Sequence, residues 1–133
     1  MILVDSNVIL DILTDDPTWA EWSIEILEEQ SVPLAINPVI FSEVSIKIES
    51  IEVIDSALSQ FKRLDIPYEA AFLAGKAYLH YLKRNGKKSS TLPDFFIGAH
   101  AAILGIPLIT RDVSRYRSYF PKLELIYPSK VGV

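Results

Sequence analysis

The 133-residue chain contains no cysteine. Disulfides, zinc sites with cysteine ligands, iron–sulfur clusters and thiol nucleophiles are therefore excluded. Positive charge is also scarce, because 13 Lys and Arg residues face 17 Asp and Glu residues and the formal net charge is −4. This excludes a globally basic nucleic-acid coat, so any binding of nucleic acid would require a local basic patch or bound cations.

Long apolar runs are absent too. The N-terminus reaches Asp5 after a short apolar run and has no basic leader, so no secretory signal is expected. The most apolar late stretch, residues 99–109, is interrupted by a histidine, a glycine and a proline and is too short to cross a bilayer. Half of the residues are nonetheless apolar, which is enough for one sizeable core. We expect a single domain over residues 1–133, in a soluble, cytoplasmic protein with no membrane partner.

Short apolar segments alternate with amphipathic segments along the chain. Strands are predicted at 2–4, 34–36, 107–110 and 123–126, with a brief extended piece at 65–66. Helices are predicted at 8–13, from Pro17, at 38–48, at 50–64, from Pro67 to a cap at Gly86, at 93–104 and at 113–119, with a loop at 87–92. This alternation predicts an α/β fold with a parallel sheet covered on both faces. In such folds, ligands bind beyond the carboxyl ends of the strands.

Four acidic residues stand where they can reach that edge of the sheet. Asp5 ends the first strand, Asp112 follows a later strand, Asp94 lies in the first turn of a helix and Glu43 lies inside an apolar helix. Each of the three aspartates also fits a helix-capping role. Glu43 also fits an ion pair with Lys47 on its own helix, although a buried glutamate is rare unless it is paired or binds a metal.

Four carboxylates in one place require a counter-charge. Two carboxylates about 5 Å apart repel by roughly 3 kcal/mol at an effective dielectric near 20. All four can stay ionised only if cations bind; otherwise some must take up protons. Ligands that are all oxygen favour a hard ion such as Mg²⁺ or Mn²⁺. Such ions activate water and neutralise phosphate charge, so the four acids predict hydrolysis of phosphodiesters.

Two basic runs provide local positive charge. One contains Lys83, Arg84, Lys87 and Lys88, and the other contains Arg111, Arg115, Arg117 and Lys122, interleaved with Tyr116, Tyr119 and Phe120. Arginine and aromatic side chains contact phosphates and stack on bases. Solvated helix ends are an equally good interpretation of both runs.

The segments that carry the four acids occur in an order typical of a known family. They read Ile-Leu-Val-Asp5-Ser-Asn7-Val-Ile-Leu-Asp, Pro38-Val-Ile-Phe-Ser-Glu43-Val, Asp94-Phe-Phe-Ile-Gly98-Ala-His-Ala and Pro107-Leu-Ile-Thr110-Arg-Asp112. Over nearly its whole length the sequence resembles the PIN-domain ribonucleases, and among them the VapC-type toxins of toxin–antitoxin pairs. Two departures stand out: Gly98 replaces a common alanine, and the segment after Asp112 is unusually rich in arginine and tyrosine.

The resemblance implies a three-layer α/β/α sandwich with a central, mostly parallel sheet, and an endoribonuclease that depends on one or two Mg²⁺ or Mn²⁺ ions. Metal-activated water would leave 5′-phosphate and 3′-hydroxyl ends on the RNA. It implies that the metal is bound by Asp5, Glu43, Asp94 and Asp112, with Asn7, Thr110 and Ser6 orienting them. It also implies a homodimer, a cognate antitoxin and an RNA substrate, for which the candidate ligands are Arg111, Arg115 and Arg117.

A phosphohydrolase of the haloacid-dehalogenase type is one alternative. An aspartate directly after a strand, such as Asp5, also begins the signature of that family. The residue two positions later is then usually a second aspartate that acts as general acid. Asn7 stands there instead and cannot donate a proton in that way.

Two further alternatives need no metal. A non-catalytic interaction module would use an apolar surface, for which the candidates are Trp19, Trp22, Tyr78 and Tyr81. Such aromatic residues at helical spacing are more often part of a core. A metal-free ribonuclease would need His80 and His100, which lie on different predicted helices, and His100 is most simply a structural residue.

Overall fold

The computed structural model describes residues 1–85 and 91–129. Its strands are β1 (Ile2–Val4), β2 (Leu34–Ile36), β3 (Lys62–Arg63), β4 (Leu108–Ile109) and β5 (Leu125–Ile126). Its helices are α1 (Ser6–Leu13), α2 (Ala20–Glu28), α3 (Pro38–Ser45), α4 (Ile51–Ala57), α5 (Tyr68–Asn85), α6 (Leu92–Leu104) and α7 (Val113–Arg117). The predicted cap at Gly86 and most of the predicted loop at 87–92 lie outside the described residues.

All five strands form one parallel sheet in the order β3-β2-β1-β4-β5. β1 lies at its centre, where Leu3 is in register with Ala35 of β2 and with Leu108 of β4. The three residues of β1 are apolar and buried, as expected for a parallel strand covered on both faces. The predicted α/β/α fold with a central parallel sheet is confirmed.

The predicted helix at 50–64 is wrong in its second half. α4 ends at Ala57, and the chain then forms the edge strand β3 in register with Ala35 and Ile36. The two residues of β3 are exposed and charged, so no apolar alternation marks them as a strand. β3 exists because β2 offers a free edge, which is a property of the assembled sheet.

Smaller differences concern helix ends. α2 begins at Ala20 and not at Pro17, because Asp16 Oδ1 accepts hydrogen bonds from the Thr18 and Trp19 amides and forms a separate turn. α3 ends at Ser45 and not at Ile48. At α6 the prediction is confirmed, because Gly105 ends the helix in the left-handed conformation, with φ of 67°.

The proposed aromatic interaction surface belongs largely to the core. Tyr81 is buried, and Trp22 and Tyr78 pack against the buried cluster. Tyr81 and Tyr78 also contact the ring of Phe95. Across residues 1–85 and 91–129, no helix combines the length and the apolar character needed to traverse a membrane.

Gly98 of α6 allows two aromatic rings to reach the helix backbone. A β-carbon at this position would lie 2.5 Å from Phe120 Cε2 and 3.0 Å from Tyr116 Cδ1. Both rings are buried, so neither can move aside at low cost. The two departures from the family pattern, glycine at position 98 and the tyrosine-rich segment after Asp112, are therefore linked. The rings of that segment pack so closely against α6 that only glycine fits at position 98.

We predict that Gly98→Ala lowers the free energy of unfolding by about 1–3 kcal/mol, the usual cost of overpacking a core. Gly75→Ala is the matched control, because Gly75 lies in α5 with nothing within 4 Å of an added β-carbon. The control should stabilise the protein by roughly 0.5–1 kcal/mol. Urea unfolding measures both values. A Gly98→Ala variant as stable as the parent would contradict the close packing.

Candidate active site

Asp5 is almost completely buried where β1 ends and α1 begins, with 2% of its surface exposed. Its Oδ1 accepts a hydrogen bond of 2.7 Å from the Ser6 amide. Its Oδ2 accepts 2.8 Å hydrogen bonds from the hydroxyls of Thr110 and Tyr116. Burial raises the pKa of Asp5, and these hydrogen bonds oppose the rise. The carboxylate is thus held in one orientation by groups from three parts of the chain.

Glu43 reaches the same place from α3. The Ser6 hydroxyl donates a 2.7 Å hydrogen bond to Glu43 Oε1 and lies 3.4 Å from Asp5 Oδ1. The two carboxylates are therefore within about 6 Å of each other, a separation at which two charges repel by roughly 3 kcal/mol at a dielectric near 20. Burial raises the pKa of Glu43, and the charges of Asp5 and Asp94 raise it further. Lys47 is exposed, and in the described part of the chain it forms no ion pair with Glu43.

Asp94 divides its two oxygens between the backbone and a side chain. Oδ2 accepts a 3.0 Å hydrogen bond from the Thr91 amide in a capping box at the start of α6. Oδ1 forms a 3.0 Å ion pair with Arg115 Nη1. Asp94 is 7% exposed, so the charge it carries is only weakly solvated.

Asp112 is held in a similar way at the start of α7. Its Oδ1 accepts from the Arg115 amide at 3.4 Å, and its Oδ2 pairs with Arg115 Nη2 at 3.0 Å. Arg115 therefore joins Asp94 to Asp112. Burial opposes the charged form of Arg115, but the charges of Asp94 and Asp112 outweigh it and raise the pKa of the guanidinium.

The capping role predicted for the three aspartates is confirmed. Each uses one oxygen to accept a hydrogen bond from a backbone amide at a helix start. The second oxygen of each then meets a side chain: hydroxyl groups for Asp5, and Arg115 for Asp94 and Asp112. Capping and participation in a shared acidic cluster are thus compatible roles.

The polar residues expected to orient the acids lie beside them. Thr110 is fully buried, donates to Asp5 and accepts from the Asp112 amide at 3.0 Å. The Asn7 amide group lies 3.4 Å from Thr110 Oγ1, and Asn7 Oδ1 accepts from the Arg111 amide at 3.4 Å. Thr110 and Asn7 thereby tie the end of β4 to the start of α1.

The three arginines suggested as RNA ligands have different surroundings. The Arg111 guanidinium makes two hydrogen bonds to the buried carboxylate of Asp11 and lies 5.0 Å from the centre of the Trp19 ring. Arg115 faces the acids, and Arg117 is exposed and lies over the ring of Tyr127. In the other basic run, Arg84 lies over Tyr119, whereas Lys87 and Lys88 fall outside the described residues.

Tyr116 is a site residue that the sequence interpretation missed. The sequence places it only among the aromatic residues of a basic run, but in the fold its ring is buried and its hydroxyl donates a hydrogen bond to Asp5. Burial and the neighbouring charge of Asp5 hold the pKa of Tyr116 well above its usual value. The phenol therefore stays protonated and acts as a donor. No local signal distinguishes a tyrosine that stacks on a base from one that reaches back to β1.

His100 has the structural role expected of it. Its Nδ1 lies 3.0 Å from Asn37 Nδ2, while Asn37 Oδ1 accepts from the Ile40 amide and caps α3. Burial lowers the pKa of His100, so the imidazole is neutral at pH 7. This contact joins α6, which carries Asp94, to α3, which carries Glu43.

The acidic cluster fits a hard cation by the chemistry of its donors but is not arranged as a finished metal site. Among the described residues, no three acidic or histidine side chains lie close enough together to hold a metal ion. The donors are all carboxylate oxygens, which suit Mg²⁺ or Mn²⁺. Burial raises the pKa values of Asp5 and Glu43, so their ionised forms are poorly solvated. The positive charge present is that of Arg115.

The fold and the cluster together define a class of protein: a parallel α/β domain with carboxylates at the carboxyl edge of its sheet. A family model described as the PIN domain matches residues 2–119. The chain therefore belongs to the PIN domain family. No curated protein matches its sequence.

Solved structures show the same fold at low sequence identity. A toxin–antitoxin complex from Klebsiella pneumoniae is 22% identical, with a TM-score of 0.73 over 98% of this chain and 100% of that one. VapBC-1 from nontypeable Haemophilus influenzae is 20% identical, with a TM-score of 0.72 over 96% of this chain and 98% of that one. Mycobacterium tuberculosis VapC20, described as a toxin that cleaves the sarcin–ricin loop, is 12% identical, with a TM-score of 0.66 over 93% and 99%.

We predict that Glu43→Gln stabilises the protein in the presence of a metal chelator. The fold raises the pKa of the Glu43 carboxyl above its value in the unfolded chain. The stability that the protonated carboxyl contributes is therefore lost as the pH rises through the folded-state pKa, and the ionised carboxylate is unfavourable at pH 7. Glutamine keeps an oxygen for the Ser6 hydroxyl and carries no charge. Allowing for solvent screening, we expect a gain of about 1 kcal/mol at pH 7, seen as a rise of about 3–5 °C in Tm.

The matched control is Glu25→Gln, because Glu25 is exposed on α2 and should change Tm by less than about 2 °C. Lowering the pH from 7 toward the ordinary pKa of glutamate should reduce the advantage of Glu43→Gln, since Glu43 itself takes up a proton as the pH falls through its raised pKa. A Tm unchanged or lowered at pH 7 would contradict the unfavourable charge at Glu43.

Proposed function

We propose that this PIN domain is an endoribonuclease that depends on a divalent metal ion and serves as the toxin of a toxin–antitoxin pair. The observation that carries the proposal is the cluster of Asp5, Glu43, Asp94 and Asp112 at the carboxyl edge of the sheet, two of them joined by Ser6 and two by Arg115. Nucleases of the PIN family generally use a divalent metal. The structural neighbours include a toxin described as cleaving the sarcin–ricin loop and several toxin–antitoxin complexes.

The residues that would hold one or two Mg²⁺ or Mn²⁺ ions are Asp5, Glu43, Asp94 and Asp112. When bound, such an ion lowers the pKa of a coordinated water and neutralises charge on a phosphate. Thr110 and Tyr116 fix the orientation of Asp5, and Ser6 fixes that of Glu43. This support matters because ligands held by surrounding hydrogen bonds need little reorganisation.

RNA would approach over α7. Arg117 is exposed there and offers a guanidinium to the phosphate backbone. Arg111 is less suited to that task, because its guanidinium is committed to Asp11 and Trp19. Its role is to hold the turn after β4 against α1.

The proposed partner is a protein antitoxin. Structures of the same fold were solved as toxin–antitoxin complexes. A cell that makes a nuclease also needs an inhibitor of its activity. We further propose that the chain forms a homodimer and acts in the cytoplasm.

The phosphohydrolase alternative has little support from the site. Asn7 contacts Thr110 and the Arg111 amide, so it positions the backbone and supplies no acid.

We predict that Asp5→Asn and Asp94→Asn each reduce RNA cleavage by at least about 100-fold, because changes even to partners of metal ligands alter affinity or activity 10- to 100-fold. Both variants should also lose the rise in Tm that Mn²⁺ gives the parent. Glu25→Gln should retain both properties. Circular dichroism confirms that each variant is folded, and full activity in either aspartate variant would contradict the assignment.

We also predict the chemistry of the products. With water as the nucleophile, the RNA ends are a 5′-phosphate and a 3′-hydroxyl, and the neighbouring 2′-hydroxyl takes no part. An oligonucleotide with one 2′-deoxy sugar at the scissile position should therefore still be cut, as mass spectrometry of the fragments will show. Complete resistance, or a 2′,3′-cyclic phosphate end, would refute hydrolysis by water.

A further inference from the structure

Arg115 occupies the carboxylate oxygens of Asp94 and Asp112 that capping leaves available. Its Nη1 pairs with Asp94 Oδ1 and its Nη2 with Asp112 Oδ2, both at 3.0 Å. The other oxygen of each aspartate is bound to a backbone amide at the start of a helix. A cation that approached Asp94 and Asp112 through the two oxygens outside the caps would meet the guanidinium of Arg115 there.

We propose that Arg115 is a built-in counter-cation that competes with the divalent metal ion for Asp94 and Asp112 and thereby weakens metal binding. This inference rests on the metal site put forward under the proposed function. In this proposal Arg115 sets the affinity for the metal ion without binding the ion itself.

The position of Arg115 allows the exchange. About a third of its side chain is exposed (32%), whereas Asp94 is nearly buried. The guanidinium is carried by a flexible side chain, so it can turn toward solvent while the Arg115 amide remains bonded to Asp112 Oδ1. When the guanidinium leaves Asp94 and Asp112, two ion pairs are lost. The free energy of that loss makes the binding of the metal ion weaker.

Competition predicts opposite effects of one substitution in the two states. Without metal, Arg115→Gln removes the positive charge among the carboxylates, so the protein should become less stable. With metal, the same substitution removes a competitor, so Mn²⁺ should bind more tightly. If Arg115 instead served to gather the acids for the metal, its loss would weaken both properties.

The experiment compares the parent, Arg115→Gln and Arg117→Gln by calorimetric titration with Mn²⁺ and by Tm in chelator. Arg117 lies on the same helix and its guanidinium packs over Tyr127, so its loss controls for the change in net charge. We expect Arg115→Gln to bind Mn²⁺ about tenfold more tightly than the parent, from the loss of two partly exposed ion pairs. It should also have a lower Tm in chelator, while Arg117→Gln should bind within about twofold of the parent.

Two outcomes overturn the inference, and they differ. If the parent binds Mn²⁺ and Arg115→Gln binds equally or more weakly, the competition is refuted and the metal site stands. If folded parent and variant both fail to bind Mn²⁺, the metal site of the proposed function fails and the competition fails with it. Should Arg115→Gln not fold in chelator, Arg115→Lys takes its place. A lysine cannot form the forked pair with both carboxylates, so the Arg115→Lys protein should bind Mn²⁺ more tightly than the parent protein does.

Discussion

The structure depends on how a buried carboxylate is held at the end of its central strand. Asp5 lies in the interior, where an ionised group without partners would be very costly. Its partners come from Ser6, Thr110 and Tyr116, and so from α1, the end of β4 and α7. Satisfying one carboxylate therefore joins the start of α1 to two segments that lie more than a hundred residues further along the chain. The site and the fold are stabilised by the same hydrogen bonds.

That polar requirement also shapes the packing around it. For the Tyr116 hydroxyl to reach Asp5, its ring must lie against α6, beside the ring of Phe120. At that point only glycine leaves enough room, which explains Gly98. Glycine is thus required at position 98 because of the hydrogen bond that Tyr116 donates to Asp5 on another element.

Charge balance is the second constraint, and it opposes stability. Burial raises the pKa values of Asp5 and Glu43, and at Glu43 the charges of Asp5 and Asp94 raise the pKa further. Arg115 offsets part of this charge through Asp94 and Asp112. A protein selected only for stability would neutralise such a cluster. Unfavourable charge of this kind is typical of functional sites, where stability is given up for chemistry.

The local pattern of the sequence was sufficient for β1, β2, the caps at Asp5 and Asp94, and the four acids at one sheet edge. These features depend on neighbouring residues: apolar runs make buried strands, and short polar side chains before a helix make caps. Three features required the tertiary structure: the edge strand β3, the commitment of Arg111 to Asp11, and the contacts of Tyr116 and Arg115 with distant acids. Each of these is a pairing across long stretches of chain, and the residue type alone does not specify its partner. An arginine fits a phosphate as well as a carboxylate, so only the folded neighbourhood determines which one it meets.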